Sequence, residues 1–273
     1  MILKPTKFRL PIKGHWGTKQ LVGCWLFNDT PPLVGKTLDV GGNRNNGTLA
    51  GDTYVVAGKF GPALSFDGID DSVNITSGQV VGSGAATICA WIYPESWGLN
   101  GSGRLVDNGK VLFYISAINS TFRFSSDGGI NTTVSASSAI SFNTWYFLCV
   151  TRNSLGIANL YRNGILSGTA DQTSGIPANG TTNLYIGNRS AADRPFDGTI
   201  DNVMIWNRVL TPSEIVHLYT EPFCMFDRER IELWSAAMAA GPAPPLTSSV
   251  FGSLLINGYS KRKLHKVGMF AQI

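Results

Sequence analysis

Two similar acidic turns, far apart in the chain, constrain its fold more than any other feature. The first reads Phe66-Asp67-Gly68-Ile69-Asp70-Asp71 and runs into Ser72-Val73-Asn74-Ile75. The second reads Phe196-Asp197-Gly198-Thr199-Ile200-Asp201-Asn202-Val203 and runs into Met204-Ile205-Trp206. An Asp-Gly step tolerates positive φ and turns the chain tightly, so each motif delivers a strand behind a group of carboxylates. Between the two turns the apolar residues alternate with a period of two. Residues 87–94 place Cys89, Trp91 and Tyr93 on one face and Ile88, Ala90 and Ile92 on the other. Residues 144–152 are apolar on both faces, as a central strand must be. Residues 111–115 and 121–124 read as a further pair, and residues 160–166 as a hairpin around Asn163-Gly164.

The order of these segments resembles the LamG-like jelly roll of the concanavalin A-like lectin/glucanase superfamily. An opening strand at residues 21–27 comes first, then the Asn/Gly loop 39–49, the glycine-flanked segment 58–66 and the first acidic turn. The Trp145-Tyr146, Leu160-Tyr161-Arg162-Asn163-Gly164 and Leu184-Tyr185-Ile186-Gly187 segments follow in family order. Thr211-Pro212-Ser213-Glu214 has a capping-box pattern with proline at the first helical position, which predicts a short helix through Ile215, Leu218 and Tyr219. The expected fold is therefore all-β, a jelly-roll sandwich of two antiparallel sheets with one short helix after the last core strand. Three segments are expected: a basic arm over 1–20, the sandwich over 21–220, and an extension over 221–273 that leaves the sandwich.

Charge is unevenly spread. The net +4 combines +5 over residues 1–20 and +4 over residues 241–273 with a −5 middle. Basic, partly apolar termini on an acidic body suggest arms that dock on a neighbouring copy or a particle lattice. In the C-terminal extension Phe251, Leu254, Tyr259, Lys261, Arg262 and Lys263 are the expected docking residues; the alternative is ordinary solvated tails. No apolar run reaches the length of a membrane span or of a signal-peptide core. Cys24, Cys89, Cys149 and Cys224 lack metal-ligand spacing; Cys89 and Cys149, each inside an apolar run, read as buried free thiols, with a disulfide as the alternative. Nucleic-acid binding is not expected, because the Lys261-Arg262-Lys263 run has no interleaved aromatics.

Candidate chemistry is sparse. Glycosidases of the superfamily carry an E-x-D-x-E or E-x-D-x-x-E strand, and retaining cleavage needs two carboxyl groups about 5–5.5 Å apart. Only Glu95 of the five glutamates lies within the strand region, with no acid at i+2 or i+4, so no enzymatic activity is expected. His15, His217 and His265 belong to no catalytic arrangement. The resemblance implies a structural Ca2+ bound by Asp201, with Asn28, Asp39 and Gly68 as contributors; the alternative is that Asp70, Asp71 and Asp201 cap turns. It also implies glycan binding, for which Trp97 and Asn100 in the loop after residue 94 are candidates, unless Trp97 packs against the sandwich edge. Two functions follow: a non-enzymatic virion- or assembly-associated module, such as a capsid decoration or tail protein, or a glycan-binding module of a cell surface or extracellular assembly.

Overall fold

The computed structural model describes residues 4, 12–28, 35–76, 80–126, 133–168, 175 and 177–226. The expected docking residues Phe251, Leu254, Tyr259, Lys261, Arg262 and Lys263 lie outside them. Within the described residues the chain forms two eight-stranded sheets in which every pairing is antiparallel.

The first sheet runs in the order β14 (Ile165–Leu166), β13 (Ala158–Arg162), β12 (Tyr146–Arg152), β7 (Ala86–Pro94), β16 (Asp197–Trp206), β5 (Pro62–Asp67) and β4 (Tyr54–Ala57), with β1 (Leu21–Trp25) also on β16. The second runs β11 (Val134–Ser135), β10 (Thr121–Ser125), β9 (Leu112–Ser116), β8 (Arg104–Asp107), β15 (Leu184–Ile186), β6 (Ser72–Ile75), β3 (Gly47–Ala50) and β2 (Lys36–Thr37). This is the expected sandwich, and its core lies between the sheets.

Alternation decides what each face buries. Ile88, Ala90 and Ile92 of β7 and Tyr146, Leu148 and Val150 of β12 point into the inter-sheet core. Cys89, Trp91, Phe147 and Cys149 point the other way, into a second apolar layer on the outer face of the first sheet. A helix, α1 (Pro212–Thr220), covers that layer with Ile215 and Leu218. Its capping box is formed: Thr211 Oγ1 accepts from Glu214 N, and Glu214 Oε2 accepts from Thr211 N. Cys24, Cys89 and Cys149 are buried thiols, and Cys89 Sγ lies 3.0 Å from Cys149 Sγ.

The terminal segments add to the same layer, and here the expected boundaries need correction. Phe223, Met225 and Phe226 are buried in it, so the chain does not leave the sandwich at residue 221. Trp16 packs there too, and Trp206 donates its indole N–H to Gly17 O at 2.7 Å. Part of each supposed arm is therefore sandwich. Apolar side chains on the outer face of β7, β12 and β16 need a cover, and these segments supply it.

The strand β16 carries one irregularity. Asp201 pairs with Trp91 but Met204 pairs with Cys89, so one extra residue is inserted, and Asn202 takes a left-handed φ of 52°. Before this bulge the other edge of β16 pairs with β5, through Asp197–Ile200; after it, with β1, through Val203–Trp206. Asp201 stands where the two neighbouring strands change over.

Gly187 shows how tightly the core end is closed. Its φ is +82°, and a Cβ there would lie 2.1 Å from Phe66 Cε1, a ring that is itself buried. Gly187→Ala should cost about 2–4 kcal/mol, from the strained φ and the overlap together, and lower the melting temperature by about 5–15 °C. Gly84→Ala, where nothing stands within 4 Å of the added Cβ, should leave it unchanged. Equal melting of the two variants would contradict the packing described.

Candidate functional site

Among the described residues, the outer face of the second sheet has no apolar cover of this kind. Phe113, Ile115, Phe122 and Phe124 turn into the inter-sheet core, so the residues between them, Tyr114 and Arg123, face outward. Strand register aligns them: Arg123 is directly opposite Tyr114 across β10 and β9, and Tyr114 is directly opposite Arg104 across β9 and β8. The result is an Arg–Tyr–Arg row across three strands. The Arg104 guanidinium lies over the Tyr114 ring, 4.4 Å from its centroid. A neighbouring row, Asp107–Tyr185–Asn74–Thr48, crosses β8, β15, β6 and β3.

The row is polar but incompletely satisfied. Arg104 Nε donates to Asp107 Oδ2 at 3.0 Å, and Asp107 Oδ1 accepts from Gly109 N at 2.8 Å. Arg104 Nη1 and Arg123 Nε are buried and have no acceptor. Burial pulls the Arg104 guanidinium below its ordinary range, against the pull of Asp107, and pushes the Asp107 carboxyl up. A guanidinium N–H without an acceptor is costly, and a carboxylate, sulfate or sugar oxygen is its natural complement. Arg123 and Tyr185 are only half-buried, which leaves the row reachable from solvent.

Asp201 lies elsewhere, at the changeover on β16, and its side chain is fully buried. Its Oδ1 forms an ion pair with Lys4 Nζ, and its Oδ2 accepts from Phe60 N at 3.3 Å. The same ammonium donates to Leu26 O at 2.5 Å and to Pro62 O. Oxygen donors of this kind suit a hard cation such as Ca2+. A cation of the chain itself is bound to them.

The other expected metal contributors do other work. Asp39 Oδ1 accepts from Cys24 N and Gly41 N, and its Oδ2 from Asn45 N, so the carboxylate organises the Asn/Gly loop. Asn28 is half-buried just beyond β1. Gly68 turns the first acidic motif with φ +75° beside Asp197. In that motif the carboxylate oxygens of Asp67, Asp70 and Asp71 lie within 4.8 Å of one another, with Asp67 Oδ1 accepting from Ile69 N and Asp71 Oδ2 from Asp67 N.

Trp97 packs against the inter-sheet core and meets Phe142 edge-on at 4.9 Å, so it is not a free stacking platform. Asn100 Nδ2 donates to Asp193 O. Aromatic surface lies instead in a shallow groove of about 350 Å3 beside α1, lined by Lys59, Phe60, Trp91, Trp145, Asn163 and Tyr219. The described glutamates stand apart: Glu95 is exposed after β7, Glu214 pairs with Arg208 at 2.9 Å, and Glu221 lies 4.0 Å from His217. No helix among the described residues is long and apolar enough to cross a membrane.

A family model described as the concanavalin A-like lectin/glucanases superfamily matches residues 67–216. No curated protein matches the chain. Among solved structures, domain 4 of AbnA, an extracellular arabinanase from Geobacillus stearothermophilus solved in complex with arabinotriose, is similar at 22% identity and a TM-score of 0.56, over 73% of this chain and 98% of that one. Trypanosoma rangeli sialidase is similar at 17% identity and a TM-score of 0.59, over 77% of this chain, which spans only 34% of the sialidase. The binding domain of Paraclostridial Mosquitocidal Protein 1 is similar at 21% identity and a TM-score of 0.56, over 75% of this chain and 53% of that one. These likenesses concern the fold.

The buried Asp107 generates a pH prediction. A carboxyl raised in the folded state holds its proton more tightly there than in the unfolded chain. Its contribution is therefore full below the ordinary carboxylate range and is lost as pH rises through the raised value. The stability of the wild type minus that of Asp107→Asn, from urea unfolding between about pH 4 and 7, should fall with rising pH. A difference that grows with pH would overturn the direction.

Proposed function

Because the chain belongs to the concanavalin A-like lectin/glucanases superfamily, we propose that it is a non-catalytic glycan-binding module taking an acidic sugar on the outer face of its second sheet. One observation carries this reading: the Arg123–Tyr114–Arg104 row, with two buried guanidinium N–H groups that lack acceptors. Arginine in this state suits the planar carboxylate of a uronic or sialic acid, or a sulfate, through charge-assisted hydrogen bonds. The half-buried Tyr185 supplies a face for sugar C–H groups, and Asn74 supplies amide polar atoms beside it. That a domain of the same fold was solved with arabinotriose supports a sugar as the class of ligand. Binding without cleavage is supported by the described glutamates, which are scattered and do not face one another across the row.

The arrangement also favours display on an assembly such as a virion. Trp16 and residues 223–226 pack on the outer face of the first sheet, and the arginine row is on the outer face of the second. A module attached through its termini would present the row outward.

A glycan array carrying sialylated, uronate-containing, sulfated and neutral oligosaccharides tests the reading. Binding should be confined to acidic glycans and weaken with salt, and the bound glycan should be recovered uncut. Arg123→Ala should weaken binding about 10- to 100-fold at an unchanged melting temperature. Lys59→Ala, in the groove beside α1, should leave it unchanged. Equal binding by Arg123→Ala and the wild type would reject this face as the site.

A further inference from the structure

The oxygens around Lys4 come from three places that the fold brings together. Asp201 sits on the bulge of β16, Leu26 follows the end of β1, and Pro62 begins β5. Because β16 changes partner from β5 to β1 at this point, the ends of the two neighbouring strands leave a gap lined by their carbonyls. The Asp201 carboxylate is directed into the gap. Lys4 fills it, with its side chain 3% exposed against 0% for Asp201. The Lys4 backbone N–H also donates to Phe60 O at 3.2 Å, so main chain and side chain dock together.

Among the described residues, one carboxylate oxygen and two carbonyl oxygens contribute to this cage. Such donors suit a hard cation, and Ca2+ takes six to eight of them. An ammonium group has three N–H donors, which Leu26 O, Pro62 O and Asp201 Oδ1 match. An amine tethered in the same chain also competes with a dilute free ion at high effective concentration.

We infer that Lys4 is a built-in cation occupying the oxygen cage at the β1–β5–β16 junction in place of a divalent metal. The N-terminal segment, basic and irregular in sequence, thereby acts as a structural ligand of the sandwich. Calcium enters this cage only when the ammonium is absent.

Thermal unfolding of the full chain tests the inference. The wild-type melting temperature should be unchanged by EDTA and by millimolar CaCl2. Lys4→Met, which keeps the alkyl bulk and leaves Asp201 as a buried unpaired charge, should melt about 5–15 °C lower in EDTA. Millimolar CaCl2 should recover most of that loss, and NaCl at the same ionic strength should not. If Lys4→Met does not fold in EDTA, it should refold from urea in CaCl2, as read by circular dichroism. Lys4→Met combined with Asp201→Asn removes both charges; it should fold in EDTA and show no response to calcium. Calcium stabilisation of the wild type, wild-type melting of Lys4→Met, or an unresponsive Lys4→Met would each overturn the inference. So would a double variant that responds to calcium as the single one does.

Discussion

One buried carboxylate organises the junction at the middle of the first sheet. Asp201 stands on β16, the strand with neighbours on both sides in the middle of the first sheet, at the point where one of those neighbours changes. A fully buried carboxylate is costly unless it is paired and hydrogen-bonded. Burial pushes the Asp201 carboxyl above its ordinary range, and the Lys4 ammonium is the strongest influence in the other direction. The pair does more than neutralise charge. With Phe60 N on Asp201 and Phe60 O on Lys4, it also holds the turn over residues 58–62. Gly58 is required there, because a Cβ would lie 2.4 Å from Ala63 Cβ and 2.8 Å from Asp201 Oδ2. That turn carries Lys59 and Phe60 to the aromatic groove beside α1, so the Lys4–Asp201 pair and the groove share Phe60.

The two outer faces differ because their strands differ in sequence. Along β7 and β12 apolar residues occupy both alternating sets, so the first sheet has two apolar faces and needs a second cover. Trp91 and Tyr219 stack at 5.6 Å within that cover, and Phe60 meets both Trp91 and Phe223 edge-on. Along β9, β10 and β15 one set is apolar and the other, apart from Leu112, polar or tyrosine, so the second sheet turns one face to the core and the other outward. Among the described residues, one outer face of the sandwich is committed to the chain's own terminal segments and the other is polar.

The fold was legible because alternation is local. Cys89, Trp91 and Tyr93 against Ile88, Ala90 and Ile92 can be read without knowing any partner strand, and so can the Thr211–Glu214 cap. Asp201 was legible as a residue tied to a cation. Its partner was not: Lys4 lies in an irregular basic leader, and nothing local distinguishes it from Lys7 or Lys13. The same limit hid the arginine row. Phe122-Arg123-Phe124 and Phe113-Tyr114-Ile115 each announce an outward residue, but that Arg123, Tyr114 and Arg104 align is a matter of register across β8, which itself carries a bulge between Arg104 and Val106. Phe223 and Phe226 were read as leaving the sandwich because their partner surface, the outer face of β7 and β16, is assembled from distant segments.

Unsatisfied donors do not by themselves mark a binding site, and Arg152 shows why. Its guanidinium is buried, its Nη2 donates to Gly82 O at 2.6 Å and to Gly84 O, and its Nε and Nη1 have no acceptor. Burial alone lowers its pKa to about 10, which leaves it charged at neutral pH with no carboxylate among its bonded partners. Yet Arg152 is 1% exposed and paired on both sides, with Ala86 and Ala158, at the end of a strand that is covered on both faces. A ligand has no approach to it without opening the sheet. Arg104 is buried almost as deeply, but it is one end of a row whose other end, Arg123, is half-exposed on an uncovered face. The difference lies in access: the same unsatisfied chemistry is closed off at the end of β12, and on β8–β10 it has a half-exposed member.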